Sequence, residues 1–368
     1  MLKNRILFLL KIPPPITGAT IMNKFVYDSV LLKRSFDLQR IDIHYATTAN
    51  DLGKNKLGKI GIFLKTYIKF LNSLFVYRPK FIYFQPSIFG FVYYRDLVFL
   101  MTGRILGLRF LLHLHGKGIA DVAAKSKIKK KLYELGFSRQ FLIVLCENQK
   151  SDINFTNPDN IFIVPNGIPA LLKSSNPDVT VNSKCRFLFI SNLFINKGIY
   201  DLLDAVIKLK EHNDQFVVDV VGAEGDINII DLELVLKKNK IEQNVFIHGA
   251  KYNNEKYAYY EKANVLIYPT HLDLMPLVIL EAMQFSLPVI ATKEGAIVDL
   301  VYDGKTGFVI DKGDIVALTD KMKYFMDNRS MAENMGRNGR KVYEEKFTLE
   351  KFENNMLNTF NEVLRMQT

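Results

Sequence analysis

The sequence predicts an α/β protein with two doubly wound parallel sheets, one in each half of its 368 residues. Short apolar runs alternate with longer helical patterns along the whole chain, which is the pattern of strands joined by crossover helices. The length is sufficient for two hydrophobic cores. Hydrophobic residues make up 48% and charged residues 24%, which is ordinary globular usage and excludes a disordered chain.

The first half contains six apolar runs that are too short for helices. Buried strands are predicted at RILFLLKI, DIHYA, FIYFQ, RFLLHLH, FLIVLC and IFIVPNG. A helix is predicted at GKIGIFLKTYIKFLNSLFV, whose apolar residues share one face. The N-terminal stretch MLKNRILFLLKIPPP has a basic start but no small-residue cleavage site, so we expect a first buried strand rather than a signal peptide.

The second half repeats this alternation. Its predicted strands are RFLFISN, FVVDVVG, VFIHG, VLIYPT, PVIAT and GFVI, with helices such as GIYDLLDAVIKLKEHN and ALTDKMKYFMDN between them. The segment 170–184 is polar, carries a proline and has no helical or strand periodicity of apolar residues, so it is the predicted linker. The expected domains are therefore 1–169 and 185–348, followed by an amphipathic helix over 349–368.

Charge is distributed unevenly between the halves. Residues 1–180 hold 26 Lys and Arg against 11 Asp and Glu, a balance of +15, whereas the remainder of the chain has a balance of −4. The lysines are either solvated surface groups or a face for an anionic surface or a phosphate-bearing substrate. Two cysteines give no disulfide framework or metal cluster, and no uncharged run reaches the roughly 20 residues of a membrane span.

Two loops of the first half follow predicted strands. KIPPPITGAT is stiffened by prolines, and Gly18 permits either a plain turn or a close approach of the backbone to a ligand. LLHLHGKG places His113 and His115 on one strand face. They are either core histidines whose ring nitrogens have hydrogen-bond partners or residues that line a ligand cleft.

Two further loops follow strands of the second half. In ISNLFINKGIYDLLDA, Lys197 lies just before a helix, where a lysine suits an anionic ligand but is also common as a surface residue. In VVGAEGD, Gly222 permits a tight turn near a ligand, although this is not the full dinucleotide fingerprint.

The stretch HLDLMPLVILEAMQFSLPVIAT carries the most specific pattern. Pro276 suits the first turn of a helix, whose N-terminus is a ready phosphate site. Asp273 precedes this helix and Glu281 lies about one and a half turns inside it. Carboxylates accept hydrogen bonds from paired sugar hydroxyls. The arrangement therefore suggests a nucleotide sugar as the ligand.

This stretch resembles the Glu-(x)7-Glu signature of the family 4 retaining glycosyltransferases. MPLVILEAM, LPVIAT and DGKTGFVI follow one another as in that family, and the other loops keep the family's order from KIPPPITGAT through HLHG, VPNGI and Lys-Gly to VGAEG. The resemblance covers roughly residues 5 to 345. It implies the GT-B fold, in which two Rossmann-like domains face each other across a cleft and the last helix returns to the first domain.

The resemblance also implies roles for individual residues. Glu281 would bind the ribose hydroxyls, Asp273 the hydroxyls of the donor sugar, and Lys197 the leaving diphosphate. His115 would lie near the donor sugar. Gly18 would line the loop near the phosphates, and the backbone of Met275, Pro276, Leu277 and Val278 would meet the diphosphate. Asn192 and Gly222 are further candidates for the nucleotide-sugar site.

Three positions depart from the family pattern. The first acid is usually glutamate and is Asp273 here, and the next residue is usually glycine and is Leu274. A Gly-Arg-Leu run usually precedes the lysine, whereas this chain has Asn192 in place of the arginine. Losing this cation removes one group that stabilises the leaving diphosphate.

We therefore expect a retaining glycosyltransferase that moves a hexose from a nucleoside-diphosphate sugar to a lipid-linked or other oligosaccharide acceptor. UDP is expected rather than GDP because it is the more frequent carrier in the family. Bacterial O-antigen, capsule or exopolysaccharide synthesis would be its setting. No Asp-x-Asp motif is present, so we expect no metal, no further cofactor and no nucleic-acid partner. The expected location is the cytoplasm, on the inner face of the cytoplasmic membrane. The alternatives are a sugar-nucleotide epimerase of the same fold and a catalytically weak sugar-nucleotide-binding relative.

Overall fold

The computed structural model describes residues 3–14, 16–43, 56–171 and 184–367, with only the backbone described for 56–59. The chain divides into two compact units. Unit 1 comprises Met1–Asn166 and Leu349–Thr368, and unit 2 comprises Gly167–Thr348. The predicted linker 170–184 falls mainly on residues 172–183, which lie outside the described residues.

Unit 1 is built around one parallel six-stranded sheet in the order β2-β1-β3-β4-β5-β6. Its strands are β1 Arg5–Leu10, β2 Asp37–Asp42, β3 Phe81–Phe84, β4 Phe110–His113, β5 Phe141–Val144 and β6 Asn160–Ile163. Its helices are α1 Gly18–Asp28, α2 Val30–Ser35, α3 Lys56–Val76, α4 Gly90–Ile105, α5 Ile119–Ala124, α6 Lys127–Phe137, α7 Lys150–Ile153 and α15 Leu349–Met366.

Unit 2 contains a second parallel six-stranded sheet in the order β12-β11-β10-β7-β8-β9. Its strands are β7 Cys185–Ile190, β8 Phe216–Val221, β9 Val245–Ile247, β10 Val265–Tyr268, β11 Val289–Thr292 and β12 Gly307–Ile310. Its helices are α8 Ile199–His212, α9 Ile229–Lys238, α10 Asn253–Lys262, α11 Leu277–Gln284, α12 Ile297–Leu300, α13 Ile315–Asp327 and α14 Arg329–Lys346.

The central strands are buried on both faces, which explains their continuous apolar sequences. All four residues of β3, β4, β5, β10 and β11 are buried, as are all six residues of β8. Helices cover both faces of a parallel sheet, so alternate residues of each strand enter different helix–sheet layers. Each unit has its own hydrophobic core, centred on its sheet.

Eleven of the twelve predicted strands share at least three residues with observed ones, and the prediction at DIHYA is wrong in position. The second strand is β2, which runs over DLQRID and shares only Asp42 with the predicted segment. Residues 44–46 of that segment lie outside the described residues. β2 is an edge strand in which only Ile41 is buried. An edge strand needs no continuous apolar run, so an apolar run could not predict the position of β2.

The amphipathic C-terminal helix α15 belongs to unit 1. Its buried face carries Phe352, Met356, Phe360 and Val363. The Phe360 ring lies 6.0 Å from that of Phe8 on β1. The spacing of these apolar residues fits one stripe of a helix, and that stripe completes the core of the first sheet.

In each sheet, the strand order reverses at one point. The reversal lies between β1 and β3 in unit 1 and between β7 and β10 in unit 2. At such a switch point the crossover helices leave on opposite faces, so the loops at the carboxyl ends of the two strands bound a crevice. These loops are the places where a ligand of either unit is expected.

Candidate active site

The switch point of unit 2 brings together two loops, one after β7 and one after β10. Gly198 in the first loop has φ +76°, and a Cβ there would lie 1.9 Å from the carbonyl oxygen of Pro269 in the second. Only glycine permits both this left-handed backbone and this approach. The lysine before Gly198 is thereby held beside the loop that carries Asp273.

Hydrogen bonds fix the two loops to each other. The backbone N–H of His271 donates to the carbonyl of Asn196 over 2.8 Å, and the Thr270 hydroxyl donates to the same carbonyl over 3.1 Å. The imidazole Nε2 of His271 also lies 2.7 Å from the carboxylate of Asp201 on α8. These contacts give the loops a defined geometry, as a site that binds charged groups requires.

Lys197 and Asp273 form an ion pair at this point. The lysine Nζ lies 2.6 Å from Asp273 Oδ2 and also donates to the carbonyl of Leu272 over 3.1 Å. Both charged side chains are about one fifth exposed, at 20% each. The structure therefore joins two residues that the sequence singled out in separate motifs, 76 positions apart.

Asp273 receives two further hydrogen bonds. The Tyr268 hydroxyl donates to Oδ2 over 2.7 Å, and the backbone N–H of Leu274 donates to Oδ1 over 2.8 Å. Burial, and then the Asp273 carboxylate, raise the pKa of Tyr268 well above its ordinary value. The phenol therefore keeps its proton and remains a donor. Asp273 is fixed by a cation, a phenol and a backbone amide.

Helix α11 begins directly after this loop. Pro276 is the N-cap residue, with φ −70° and ψ 125°, and the helix starts at Leu277. Met275 is buried, while Leu277 and Val278 are half-buried. The first N–H groups of a helix have no partner within it, and they attract anions together with the helix dipole. The predicted segment Met275 to Val278 thus supplies the helix terminus beside the ion pair.

Glu281 lies in the second turn of α11 and forms its own polar cluster. Lys256 Nζ lies 2.6 Å from Oε1, and the Tyr260 hydroxyl donates to Oε2 over 2.7 Å. Burial, and then Glu281, raise the pKa of Tyr260 well above its ordinary value, so this phenol also stays protonated. Each carboxylate oxygen has one such partner and can accept another hydrogen bond.

The two remaining predicted residues of unit 2 lie at neighbouring strand ends. Asn192 is exposed in the loop after β7. Gly222 follows β8, and a Cβ there would lie 1.8 Å from the carbonyl oxygen of Ser191. The glycine is required by this contact between two loops, which is a structural reason that the sequence pattern did not reveal.

In unit 1, His113 and His115 lie together at the end of β4. Their ring centroids are 4.0 Å apart, and His113 Nδ1 lies 2.6 Å from the Tyr83 hydroxyl. Among the described residues, neither Nε2 atom has a hydrogen-bond partner. Burial lowers the pKa of His115 to about 3, and burial with the neighbouring His115 lowers that of His113 well below its usual range. Both imidazoles are therefore neutral.

Gly18 is the first residue of α1 and is exposed. Thr17 caps this helix in a reciprocal capping box with Thr20. At the switch point of unit 1, between β1 and β3, Lys11 Nζ contacts Ser87 and lies 3.6 Å from the fully buried carboxylate of Asp96. Burial lowers the pKa of Lys11. The loop of Gly18 thus borders a polar cluster at the carboxyl edge of the first sheet.

Three residues that contact the predicted carboxylates were not predicted from the sequence: Tyr268, Lys256 and Tyr260. Tyr268 is the last residue of β10, at the switch point, and its position at a strand end was the available signal. Lys256 and Tyr260 are four residues apart and share one face of α10. Their role depends on the packing of α10 beside α11, which no local pattern indicates.

Two features are absent from residues 3–14, 16–43, 56–171 and 184–367, which the structure describes: a metal centre and a membrane-spanning helix. No group of three His, Cys, Asp or Glu side chains there comes together as a metal site. None of the helices in those ranges combines the length and the hydropathy that crossing a membrane requires.

The second half of the chain resembles a known protein family. Residues 175–342 match the family model described as glycosyl transferases group 1. The capsular polysaccharide biosynthesis glycosyltransferase CapM of Staphylococcus aureus is 31% identical over 162 residues, which are 44% of this chain and 41% of CapM. The poly(ribitol-phosphate) alpha-N-acetylglucosaminyltransferase of S. aureus strain COL is 28% identical over 250 residues, 67% of this chain and 49% of that protein. The chain spans about half the length of the curated relatives it matches.

Solved structures show the same fold over nearly the whole chain. HepE of Anabaena, solved in complex with UDP and glucose, has a TM-score of 0.72 and 16% identity, covering 97% of this chain and 99% of HepE. At this identity the likeness establishes the fold. Residues 175–342 therefore resemble the glycosyl transferases group 1 family, and the two parallel sheets have the GT-B fold.

Proposed function

We propose that the protein is a retaining glycosyltransferase that moves a hexose from a UDP-linked donor to a sugar acceptor, a lipid-linked oligosaccharide of bacterial O-antigen, capsule or exopolysaccharide synthesis. The family match supports glycosyl transfer.

The observation that carries the proposal is the geometry of Lys197. An ammonium group has three N–H donors. Two are occupied, by Asp273 Oδ2 and by the carbonyl of Leu272. The third is available for a phosphate oxygen beside the N-terminus of α11. Lysine and helix terminus together form the positive pole that a leaving nucleoside diphosphate requires.

Breaking the anomeric bond places positive charge on the sugar and negative charge on the diphosphate. Lys197 and the first N–H groups of α11 stabilise that negative charge, so we propose that no metal ion is needed. The acceptor hydroxyl attacks from the face that the diphosphate leaves, and a diphosphate oxygen takes its proton. The new bond then has the configuration of the old one.

The donor is held at its two ends by the two carboxylates. Each oxygen of Glu281 has one partner in Lys256 or Tyr260, so the pair of oxygens can accept the two ribose hydroxyls. Asp273 already receives hydrogen bonds from Lys197, Tyr268 and Leu274, so about one of its four lone-pair sites remains for a sugar hydroxyl. UDP as the carrier is supported by the HepE complex with UDP and glucose.

The acceptor belongs to unit 1. The names of CapM and of the poly(ribitol-phosphate) transferase support a surface polymer as the acceptor. Unit 1 also carries exposed apolar side chains, among them Ile68 at 64% and Phe75 at 62% on α3. With the +15 balance of residues 1–180, these support docking on an anionic membrane surface at the cytoplasmic side.

The test is incubation of the protein with a panel of sugar nucleotides, with and without acceptor lipid, while free nucleoside diphosphate is measured. We expect release that depends on the acceptor. Conversion of the donor without acceptor would indicate an epimerase instead, and donor binding without any turnover would indicate a binding-only relative.

Membrane docking is tested separately by sedimentation with anionic vesicles. We expect binding at low salt and release at high salt, because each basic residue near the surface contributes about 1 kcal/mol, screened beyond about 8 Å at physiological salt. Binding that ignores both lipid charge and salt would contradict the electrostatic account.

A further inference from the structure

A pocket of about 240 Å³ lies in unit 1, outside every site described above. It is bounded by the start of α4, by α5 and by the first half of α6. Its lining residues are Phe89, Gly90, Tyr93, Tyr94, Val122, Lys129, Leu132 and Tyr133. Pockets for whole drug-sized ligands begin at about 300 Å³. This pocket therefore suits one part of a larger molecule.

The floor of the pocket is apolar although it contains tyrosines. Tyr93 and Tyr133 are buried, at 3% exposure each, and their ring centroids are 4.6 Å apart. The Tyr93 hydroxyl donates to the carbonyl of Leu132 over 2.8 Å, and the Tyr133 hydroxyl donates to that of Ile88 over 2.6 Å. Because both hydroxyls donate to backbone carbonyls, neither has a proton left for a ligand, and the two rings form the floor. The part of a ligand that enters must be apolar.

The rim of the pocket is cationic. Lys129 is exposed, and within the described part of the chain no acidic side chain pairs with it. It belongs to the run KSKIKKK at 125–131, whose only described ion pair joins Lys130 to Glu134 at 3.9 Å. The first turn of α6 contains no acidic residue. Of the lining residues Lys129 alone is charged, so an anionic group at the mouth would meet its ammonium group.

Two lining residues, Gly90 and Lys129, have exposed apolar neighbours in the sequence. Phe91 on α4 is 85% exposed and Ile128 on α6 is 76% exposed. A ligand that matches floor, rim and surroundings has an apolar chain ending in a strongly anionic head. The small volume admits one chain rather than the paired chains of a phospholipid.

We infer that this pocket binds a single-chain phosphate amphiphile, the class of alkyl and isoprenyl phosphates, with the chain on the tyrosine floor and the phosphate beside Lys129. This deepens the proposed function and rests on it in one respect: the amphiphile would be the lipid carrier of the acceptor. Binding itself does not depend on transfer.

The probe is decyl phosphate, titrated calorimetrically into the full-length protein below the micelle-forming concentration. We expect saturable binding of one molecule per chain, with neither decanol nor inorganic phosphate binding comparably. Val122→Phe fills the pocket and should weaken binding at least about tenfold, the effect of losing about two buried methylene groups. Lys129→Gln, which leaves the floor intact, should weaken it about fivefold.

Lys131→Gln is the matched control, because Lys131 lies on the same helix but does not line the pocket. It should leave the affinity of decyl phosphate unchanged. Equal losses in the Lys129 and Lys131 variants, or no saturable binding by wild type, would overturn the inference in favour of surface adsorption. A Val122→Phe protein that binds decyl phosphate normally would also overturn it, provided that circular dichroism shows the variant folded.

Two further measurements distinguish amphiphile binding in the pocket from membrane docking and from sugar transfer. Val122→Phe should still bind phosphatidylglycerol vesicles like wild type, and a parallel loss of vesicle binding would mean that the pocket serves bulk phospholipid instead. Nucleoside-diphosphate release is followed in the same proteins. Transfer by a wild type that ignores decyl phosphate refutes the pocket alone, whereas decyl phosphate binding without any transfer refutes the proposed function alone.

Discussion

Lys197 Nζ lies 2.6 Å from Asp273 Oδ2, so the cation and the first acid of the signature stretch form one unit. The sequence suggested separate tasks for them, diphosphate binding and sugar binding. The ion pair adds a task for Asp273, which is to orient the ammonium group. Tyr268 supports it by donating to the same carboxylate oxygen over 2.7 Å.

Lys197→Ala should lower turnover about a hundredfold, the effect of losing one electrostatic partner of the transition state. Turnover is measured as acceptor-dependent release of nucleoside diphosphate. Lys208→Ala is the control, since Lys208 is an exposed lysine on the helix that follows. A folded Lys197 variant with the wild-type rate would remove this residue from the mechanism.

Asp273→Asn should lower turnover by about five- to 150-fold, because an amide mispairs with Lys197 or Tyr268 and a mispaired polar group in the site costs about 1–3 kcal/mol. Nucleoside-diphosphate affinity should stay nearly constant. Tyr268→Phe removes one of the three donors to Asp273 and should cost about fivefold in rate, near 1 kcal/mol. If Tyr268→Phe is neutral while Asp273→Asn is not, the phenol has no positioning role.

Glu281→Gln should weaken nucleoside-diphosphate binding about tenfold, because hydrogen bonds to a charged group contribute about 1.5–3 kcal/mol and the amide offers half of the acceptor capacity. Calorimetry with the free nucleotide measures this affinity. Glu255→Gln, at an exposed position of α10, should bind like wild type. Equal affinity of both variants would refute the assignment of the ribose hydroxyls to Glu281.

Gly198→Ala should lower both the free energy of unfolding and the turnover of the protein. The added methyl group would lie 1.9 Å from the Pro269 carbonyl oxygen and displace the loop that carries Lys197. Gly304→Ala is a matched control: its φ is +70°, close to the +76° of Gly198, but its surroundings are open. The Gly304→Ala protein should lose only the cost of holding alanine in a left-handed backbone conformation, about 1–2 kcal/mol of unfolding free energy. Its turnover should equal that of wild type. Thermal unfolding that ranks the two variants equally would contradict the close approach of the loops.

Stability should fall as pH drops below about 6.5, the ordinary pKa of histidine in an unfolded chain. Folding lowers the pKa of His115 to about 3, so its contribution is complete above 6.5 and is lost as the pH falls towards 3. The slope is up to about 1.4 kcal/mol per pH unit for this histidine. Unfolding of His115→Gln between pH 7 and pH 4 should be less pH-dependent than that of wild type or of the exposed-residue control His212→Gln. Superimposable profiles would show that His115 does not titrate in this way.

The sequence predicted the two parallel sheets well because strands buried on both faces must be continuously apolar. Segments such as FLIVLC at β5 carry that signal in full. The edge strand β2 carries little of it, and its predicted position was wrong for that reason. Helix α11 was predicted within one residue, since Pro276 marks its start.

For the site, motifs at strand ends indicated Lys197, Asp273 and Glu281, because strand ends at a switch point are where ligands bind. The partners of these residues could not be predicted in the same way. Lys256 and Glu281 are 25 positions apart and meet only because α10 packs beside α11. The contact between Gly222 and Ser191 likewise depends on the spacing of two neighbouring strands.

The most direct test of the account follows the anomeric carbon of the donor. A UDP-hexose labelled at that carbon is incubated with acceptor lipid and the protein, and the product is analysed by nuclear magnetic resonance. The account predicts a labelled glycoside on the acceptor with the anomeric configuration of the donor. A product of inverted configuration, or a rearranged sugar nucleotide with no label on the acceptor, would contradict it.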